Sequence, residues 1–282
     1  MPARVWHALA GLIVLLLAAV VGLDQWQARR GEASLFGMSW PRGSGGSPPR
    51  AEPRPSLGEP ALASPRGGPR VAVIVDEMGG RRDVFDSLRE LARPVTLALL
   101  PGLPLSPSMA RESSRSGMEA LLDLPMEPYR YPQMDPGPGA LLMSTPHDEI
   151  RRLVGRHLEA LPGVVGVTNH MGSRLTEDRA RMRTLLEVLA ARRLFLVDAY
   201  TSNLSVAYDE ARGLGVRAAR RQVLMDADRD ESWAEVAAWA ERRGEVIAIA
   251  HGQLAAARLL REQIPRWEAR GLRLVPVSEL AR

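Results

Sequence analysis

Five short apolar runs, each closing on an ionisable or amide residue, constrain this chain more than any other feature. Val71-Ala72-Val73-Ile74-Val75 delivers Asp76 and Glu77 into the turn Gly79-Gly80, and Ala120-Leu121-Leu122 ends at Asp123. Val164 to Val167 leads to Asn169 and His170, Leu194 to Val197 ends at Asp198, and Val246 to Ala250 ends at His251. Runs of Val, Ile, Leu and Ala without polar alternation suit strands covered on both faces, as in a parallel sheet or barrel, and such sheets place chemistry at strand carboxyl ends. One acid in that position is most simply a helix cap. Several strands sharing the design predict a site at one rim.

The segments between the runs read as helices. Arg81 to Ala92 sets Val84, Leu88 and Leu91 on one face. Thr145-Pro146-His147-Asp148 is a helix start with a threonine cap and proline in the first position, and Thr176-Glu177-Asp178 is another. His147 and His157 fall on the first of these helices, away from any strand end, and read as surface residues. Further strands are expected at Val95 to Leu100, more weakly at Val216 to Ala219, and last at Leu272 to Val277. About eight strand–helix steps in alternation predict an α/β fold with mainly parallel strands. The Pro/Gly-rich stretch from Pro125 to Met143 is long for a loop in a compact domain, and reads as a binding loop or as packing at the mouth of the sheet.

Composition narrows the chemistry. There is no cysteine, so disulfides and thiolate sites are excluded and any metal must be held by His, Asp, Glu or Asn. The net charge of +4 resides in the first 70 residues, which hold 8 Arg against 4 acids, whereas residues 71–282 hold 29 of each. A neutral domain lacks the electrostatic footprint of a nucleic-acid binder. Ala8 to Leu23 is uninterrupted apolar residues and glycine, and with Val5 and Trp6 it approaches the ~20 residues that span a bilayer. Trp6 and Trp26 flank it, and no small-residue cleavage site follows, so residues 1–24 read as one uncleaved transmembrane anchor. Residues 25–70, rich in Pro, Gly and Ser, read as a flexible linker to a domain over 71–282.

From Val71 to Leu280 the chain resembles the divergent polysaccharide deacetylases, relatives of the carbohydrate esterases that remove N-acetyl groups from glycans. The resemblance rests on Asn169-His170-Met171-Gly172-Ser173. It is supported by Leu124-Pro125-Met126-Glu127-Pro128, by Asp135 to Leu141, and by the strand endings at Asp198 and His251. It implies a distorted (β/α)7-type barrel, a divalent-metal hydrolase ancestry, and hydrolysis of N-acetyl groups on an envelope polysaccharide or peptidoglycan-type glycan. With the anchor, it implies a bacterial inner-membrane protein whose domain lies in the periplasm or otherwise outside the cytoplasm.

Carried onto this sequence, the resemblance implies Glu77, Asp123 and His170 as ligands of Zn or, given the hard oxygen donors, of Mn or Mg. Asp76 is the implied general base and His251 the proton donor. Asn169, Ser173, Asp198 and Arg220, or its neighbour Arg221, would orient these groups or the substrate. The chain departs from the pattern in three places. Asp76-Glu77 stands where the family resembles Asp-Asp, Asp123 where histidine is typical, and Ala250-His251-Gly252-Gln253 in place of Gly-His-Pro-His. Those departures support an alternative, a catalytically inactive envelope protein that binds glycan or a protein partner on the same fold.

Overall fold

The computed structural model describes residues 67–282. The expected anchor over 1–24 and nearly all of the expected linker over 25–70 lie outside the described residues. Among the described residues no helix is long and apolar enough to cross a membrane.

Strands β1 (Arg70–Met78), β2 (Thr96–Leu99), β3 (Ala120–Met126), β4 (Gly166–Met171), β5 (Phe195–Asp198), β6 (Ala218–Arg220), β7 (Val223–Met225), β8 (Glu245–His251) and β9 (Arg273–Leu274) form one sheet. Every ladder is parallel. The order is β6-β5-β4-β3-β2-β1-β8-β7, with β9 beside the start of β1. Parallel neighbours need crossovers. These are supplied by α1 (Arg82–Arg89), α2 (Ser106–Ser116), α3 (His147–Ala160), α4 (Arg179–Arg192), α5 (Ala207–Gly213), α6 (Asp230–Arg243) and α7 (Leu254–Ala269).

The two ends of that strand order are chain neighbours, because β6 and β7 are joined by Arg221 and Gln222 alone. Arg221 N–H donates to Asp198 O at 3.0 Å, and Gln222 N–H donates to Ile247 O at 2.9 Å. Ile247 N–H in turn donates to Gln222 Oε1 at 2.7 Å. One segment therefore borders β5 with its first half and β8 with its second, and the sheet curls round on itself. The sequence does not announce β7, since three residues are too few to carry a period.

Curling gives the sheet an inner and an outer face, and the period of two sorts residues between them. Ala72 and Ile74 of β1, Leu121 of β3, Val197 of β5 and Ile249 of β8 share an inner cluster with Ala98 and Ala219. Their immediate neighbours Val73, Leu122, Leu196 and Ala248 belong to the larger cluster beneath the helices.

The end of the chain completes the inner cluster. The expected strand over 272–277 stops after Leu274 and the chain turns inward at Pro276, which has no N–H to give to a ladder. Val275 N–H donates to Val71 O at 2.9 Å, Val277 N–H to Thr96 Oγ1 at 3.3 Å, and Arg282 exchanges both backbone bonds with Ala218 at 2.8 and 3.0 Å. Val275, Val277, Leu280 and Ala281 thereby plug the amino-terminal mouth of the sheet, in space that the small residues Ala72, Ala98 and Ala219 leave open.

Two helix starts differ from expectation. Pro146 holds the cap position of α3, while Thr145 Oγ1 accepts Leu142 N–H at 2.9 Å in the turn before it. The cap of α4 is Asp178, whose carboxylate accepts Arg181 N–H at 2.8 Å, and Thr176 lies in a preceding 3-10 turn with its hydroxyl on Gly172 O at 2.8 Å. In both cases a threonine hydroxyl finds a nearer backbone partner than the helix end.

Candidate active site at the carboxyl rim

The inner-face alternation continues to the strand ends. Asp76 lies two residues past Ile74, Asp123 two past Leu121 and His251 two past Ile249, so all three point inward. Asp123 pairs in register with Thr168, two residues before His170, and Asp76 pairs with His251. Glu77 would fall on the outer face, but the β1–β2 register slips between Val75 and Met78, and Glu77 adopts a left-handed φ of 54°. The bulge re-aims its carboxylate. Glu77 Oε1 lies 3.6 Å from His170 Nδ1 and 3.9 Å from His251 Nδ1, while the Glu77 N–H donates to Asp123 Oδ2 at 3.0 Å. Gly252 lets β8 close on this bulge. A Cβ there would stand 2.7 Å from Asp76 O and 2.8 Å from Met78 Sδ.

The two histidines are driven in opposite directions. His251 Nδ1 donates to Asp76 Oδ1 at 2.9 Å, and that bond is the main cause of an imidazole pKa pushed up to about 9. Burial pushes His170 down, against the opposing pull of Glu77 and Asp76. Near neutral pH His251 is thus a cation able to give a proton, and His170 a neutral ring with a lone pair to share. Asp123, 1% exposed, is held well above the usual carboxylate range, first by burial and then by the charge of Asp76.

The donor atoms suit a divalent cation. Among the described residues Asp76, Glu77 and His251 form a group whose ligand atoms lie within 4.8 Å of one another. It shares only Glu77 with the expected trio of Glu77, Asp123 and His170; in the structure Asp123 stands behind Glu77, on its backbone N–H. Asp123 Oδ1 and the facing Thr168 Oγ1 are both buried without a hydrogen-bond partner. Carboxylates, a neutral imidazole and an orphaned carboxyl oxygen fit a hard or borderline ion.

The remaining sequence-derived residues have other partners. Asn169 lies two past the outward Val167; its Oδ1 accepts Ala199 N–H at 2.9 Å and its Nδ2 donates to Met171 O at 2.7 Å. Asp198, two past the outward Leu196, accepts Tyr200 N–H at 2.8 Å and the Ser205 hydroxyl at 2.9 Å, and burial raises its pKa. Ser173 Oγ accepts Tyr129 N–H at 3.1 Å. Arg220 lies between the rings of Tyr200 and Tyr208, 4.8 Å from each centroid, and 3.8 Å from Asp198. The inward arginine is Arg221, two past Ala219; it donates to Ala199 O at 2.6 Å and Tyr200 O at 3.0 Å, and its charge is felt by Asp198 and Asp76.

Sequence reasoning also passed over Glu127. It is 4% exposed and its carboxylate accepts Met143 N–H at 2.7 Å and Arg174 Nη1 at 2.8 Å. Its N–H donates to Leu141 O at 2.9 Å, so one side chain pins both the 127–146 loop and the turn after β4. Its signals were a charged residue between two prolines and a place in the string Leu124 to Pro128 that supports the resemblance. Glu127→Ala is expected to cost about 1–3 kcal/mol, because Met143 N–H loses its partner. Urea unfolding checks this, and a midpoint equal to that of the parent protein would contradict the pinning role.

Comparison with known proteins agrees with this architecture. The uncharacterized protein YibQ of Escherichia coli K12 is 30% identical over 200 residues, which cover 69% of this chain and 62% of YibQ. An uncharacterized Haemophilus influenzae protein is 27% identical over 187 residues, covering 64% of this chain and 66% of the relative. The chain thus spans a little under two thirds of the length of each. The crystal structure of the uncharacterized protein ATU2773 from Agrobacterium tumefaciens superposes with a TM-score of 0.70 at 24% identity, over 76% of this chain and 89% of that one, a likeness of fold. The family model described as divergent polysaccharide deacetylase matches residues 73–281. That match runs from the interior of β1 to the plug and takes in the curled sheet, apart from the first three residues of β1, together with its rim, and the chain belongs to the divergent polysaccharide deacetylase family.

Proposed function

We propose that the protein is a membrane-tethered deacetylase that hydrolyses N-acetyl groups on an envelope polysaccharide or peptidoglycan-type glycan with the help of a divalent ion. The observation that carries this reading is the meeting of two imidazoles on one carboxylate at the rim: Glu77 Oε1 lies 3.6 Å from His170 Nδ1 and 3.9 Å from His251 Nδ1, and His251 is bonded to Asp76 at 2.9 Å. That pairing supplies one proton donor and one neutral ligand in a single cluster.

Glu77 and His170 would hold the ion, with the orphaned Asp123 Oδ1 as a further oxygen donor. A divalent ion supplies Lewis acidity towards an amide carbonyl and towards water. Zn, Mn and Mg all remain compatible with one imidazole and carboxylates. Asp76 accepts the proton of the attacking water. His251, with Nδ1 engaged by Asp76, presents its Nε2–H to the leaving amine. Arg221 brings positive charge to the Asp76 side of the rim. Counting β6 and β7 as one kinked strand, and setting aside the two-residue β9 that lies off the ring, leaves the seven strands of the distorted barrel, and the apolar run from Ala8 to Leu23 supports a tether.

A second reading, a catalytically inactive binder, is favoured by Asp123. Burial, which raises the pKa of its carboxyl, disfavours the charged form that a cation would bind. Elemental analysis of protein purified without chelator, with acetate release from tetra-N-acetylchitotetraose, separates the two. The hydrolase reading expects one ion per chain, lost in His170→Ala, and acetate from the parent protein. Neither ion nor acetate after reconstitution with Zn, Mn or Mg, with the sugar still bound, establishes the inactive binder.

A further inference from the structure

We propose that the rim carries a saccharide subsite beside the acid cluster, built from Tyr129, Leu204 and Glu177, which takes a second, uncharged pyranose ring of a glycan chain. This rests on the glycan-directed reading above and specifies how much of the glycan is held.

Leu204 and Tyr129 are the two most exposed large apolar side chains of the described residues, at 64% and 55%. Scattered surface leucines need no account, but these two are anchored. Tyr129 N–H donates to Ser173 Oγ at 3.1 Å, three residues beyond His170. The Tyr129 hydroxyl and the Ser202 hydroxyl both donate to Glu177 Oε1, and Leu204 N–H donates to Ser202 Oγ at 3.1 Å. Loops following β3, β4 and β5 thus converge on one half-buried carboxylate, which holds two exposed side chains, an aromatic ring and an isobutyl group, on the same carboxyl-terminal rim as the acid cluster.

The chemistry matches a sugar ring. A fixed aromatic face accepts the apolar C–H face of a pyranose, and restriction before binding lowers the entropy cost of capture. Both internal bonds end on Glu177 Oε1, which leaves Oε2 as the acceptor for a ligand hydroxyl or amide N–H in this proposal. The carboxylate also sets specificity, since it disfavours a ring that bears its own carboxylate. Because Ser173 links this platform to the strand that carries His170, the bound ring is a neighbour of the one whose acetamide reaches the acid cluster.

Calorimetric titration of the full chain with tetra-N-acetylchitotetraose and with N-acetylglucosamine tests the subsite. The parent protein is expected to bind the tetramer about tenfold more tightly than the monosaccharide, the equivalent of a contact of about 1.4 kcal/mol. Tyr129→Ala is expected to erase that advantage, and Tyr129→Phe, which keeps the ring, to retain most of it. Circular dichroism confirms that both variants are folded. A folded Tyr129→Ala protein that keeps the advantage overturns the subsite, as does a parent protein that shows none. Either result leaves acetate release, and with it the hydrolase reading, standing on its own measurement. Chain-length-dependent binding through Tyr129 without ion or acetate would instead uphold the subsite and sink the hydrolase.

Discussion

Asp76→Asn is expected to lower acetate release by about 10²–10⁴-fold while leaving the fold intact. Asparagine preserves the shape at the end of β1 and removes the charge. Two losses then coincide. Residue 76 no longer accepts a proton, and His251 loses the bond that is the main cause of its pKa of about 9, so it relaxes towards the ordinary 6.5 and is largely neutral at pH 8. Base and acid therefore fail together, and the Asp76→Asn and His251→Gln losses are expected to be far from additive. Nuclear magnetic resonance titration of His251 in the metal-free protein reports the link directly. The sign follows from the raised pKa. The ion pair stabilises the metal-free fold fully below about 6.5, and the contribution disappears as pH rises through about 9. Because the His251 side chain is 45% exposed, solvent screens the pair and the stability change is small. A variant with the parent rate, or with His251 still titrating near 9, would remove Asp76 from the mechanism.

Deleting residues 275–282 is expected to abolish cooperative folding at 25 °C. Val275, Val277 and Leu280 are almost wholly buried inside the curled sheet, and burying such a side chain stabilises by about 1.5–3 kcal/mol each. Their combined loss, about 4.5–9 kcal/mol, is comparable with the ~5–15 kcal/mol stability of a whole domain. The deletion also opens the interior beneath Ile74 and Val197 to water and strips Ala218 of both backbone bonds to Arg282. Val277→Ala, the milder change, is expected to cost about 2 kcal/mol. Urea unfolding followed by circular dichroism reads both. A truncated chain with the parent midpoint would show the plug to be dispensable.

The convergence of side chains in the candidate site was partly legible because those residues lie in phase with their strands. Asp76, Asp123 and His251 each follow an inward apolar residue by two, so the alternation that buries Ile74, Leu121 and Ile249 also delivers those side chains to one space. Asn169, Asp198 and Arg220 stand at the same rim but one residue out of phase, and the structure gives them to the loops and the outer layer. That distinction was not readable. In strands covered on both faces every position is apolar, and nothing local marks which face will be inside. The bulge that turns Glu77 back into the site, the three-residue β7 and the pinning Glu127 were equally hidden, each being a response to a neighbouring strand rather than a pattern within its own.

By itself, then, the sequence determined what is local: apolar runs of strand length, the helices between them, acids and histidines at the carboxyl ends, and the residue string that resembles a deacetylase family. Only the tertiary structure decided which of two buried faces became the interior, that Arg221 and not Arg220 turns towards Asp76, and that the chain's own end fills the sheet's mouth. The physical reason is range. Propensity and periodicity act over a few residues, whereas curling, plugging and the pairing of Asp76 with His251 join positions far apart in the chain, and their free energy exists only once the whole sheet has formed.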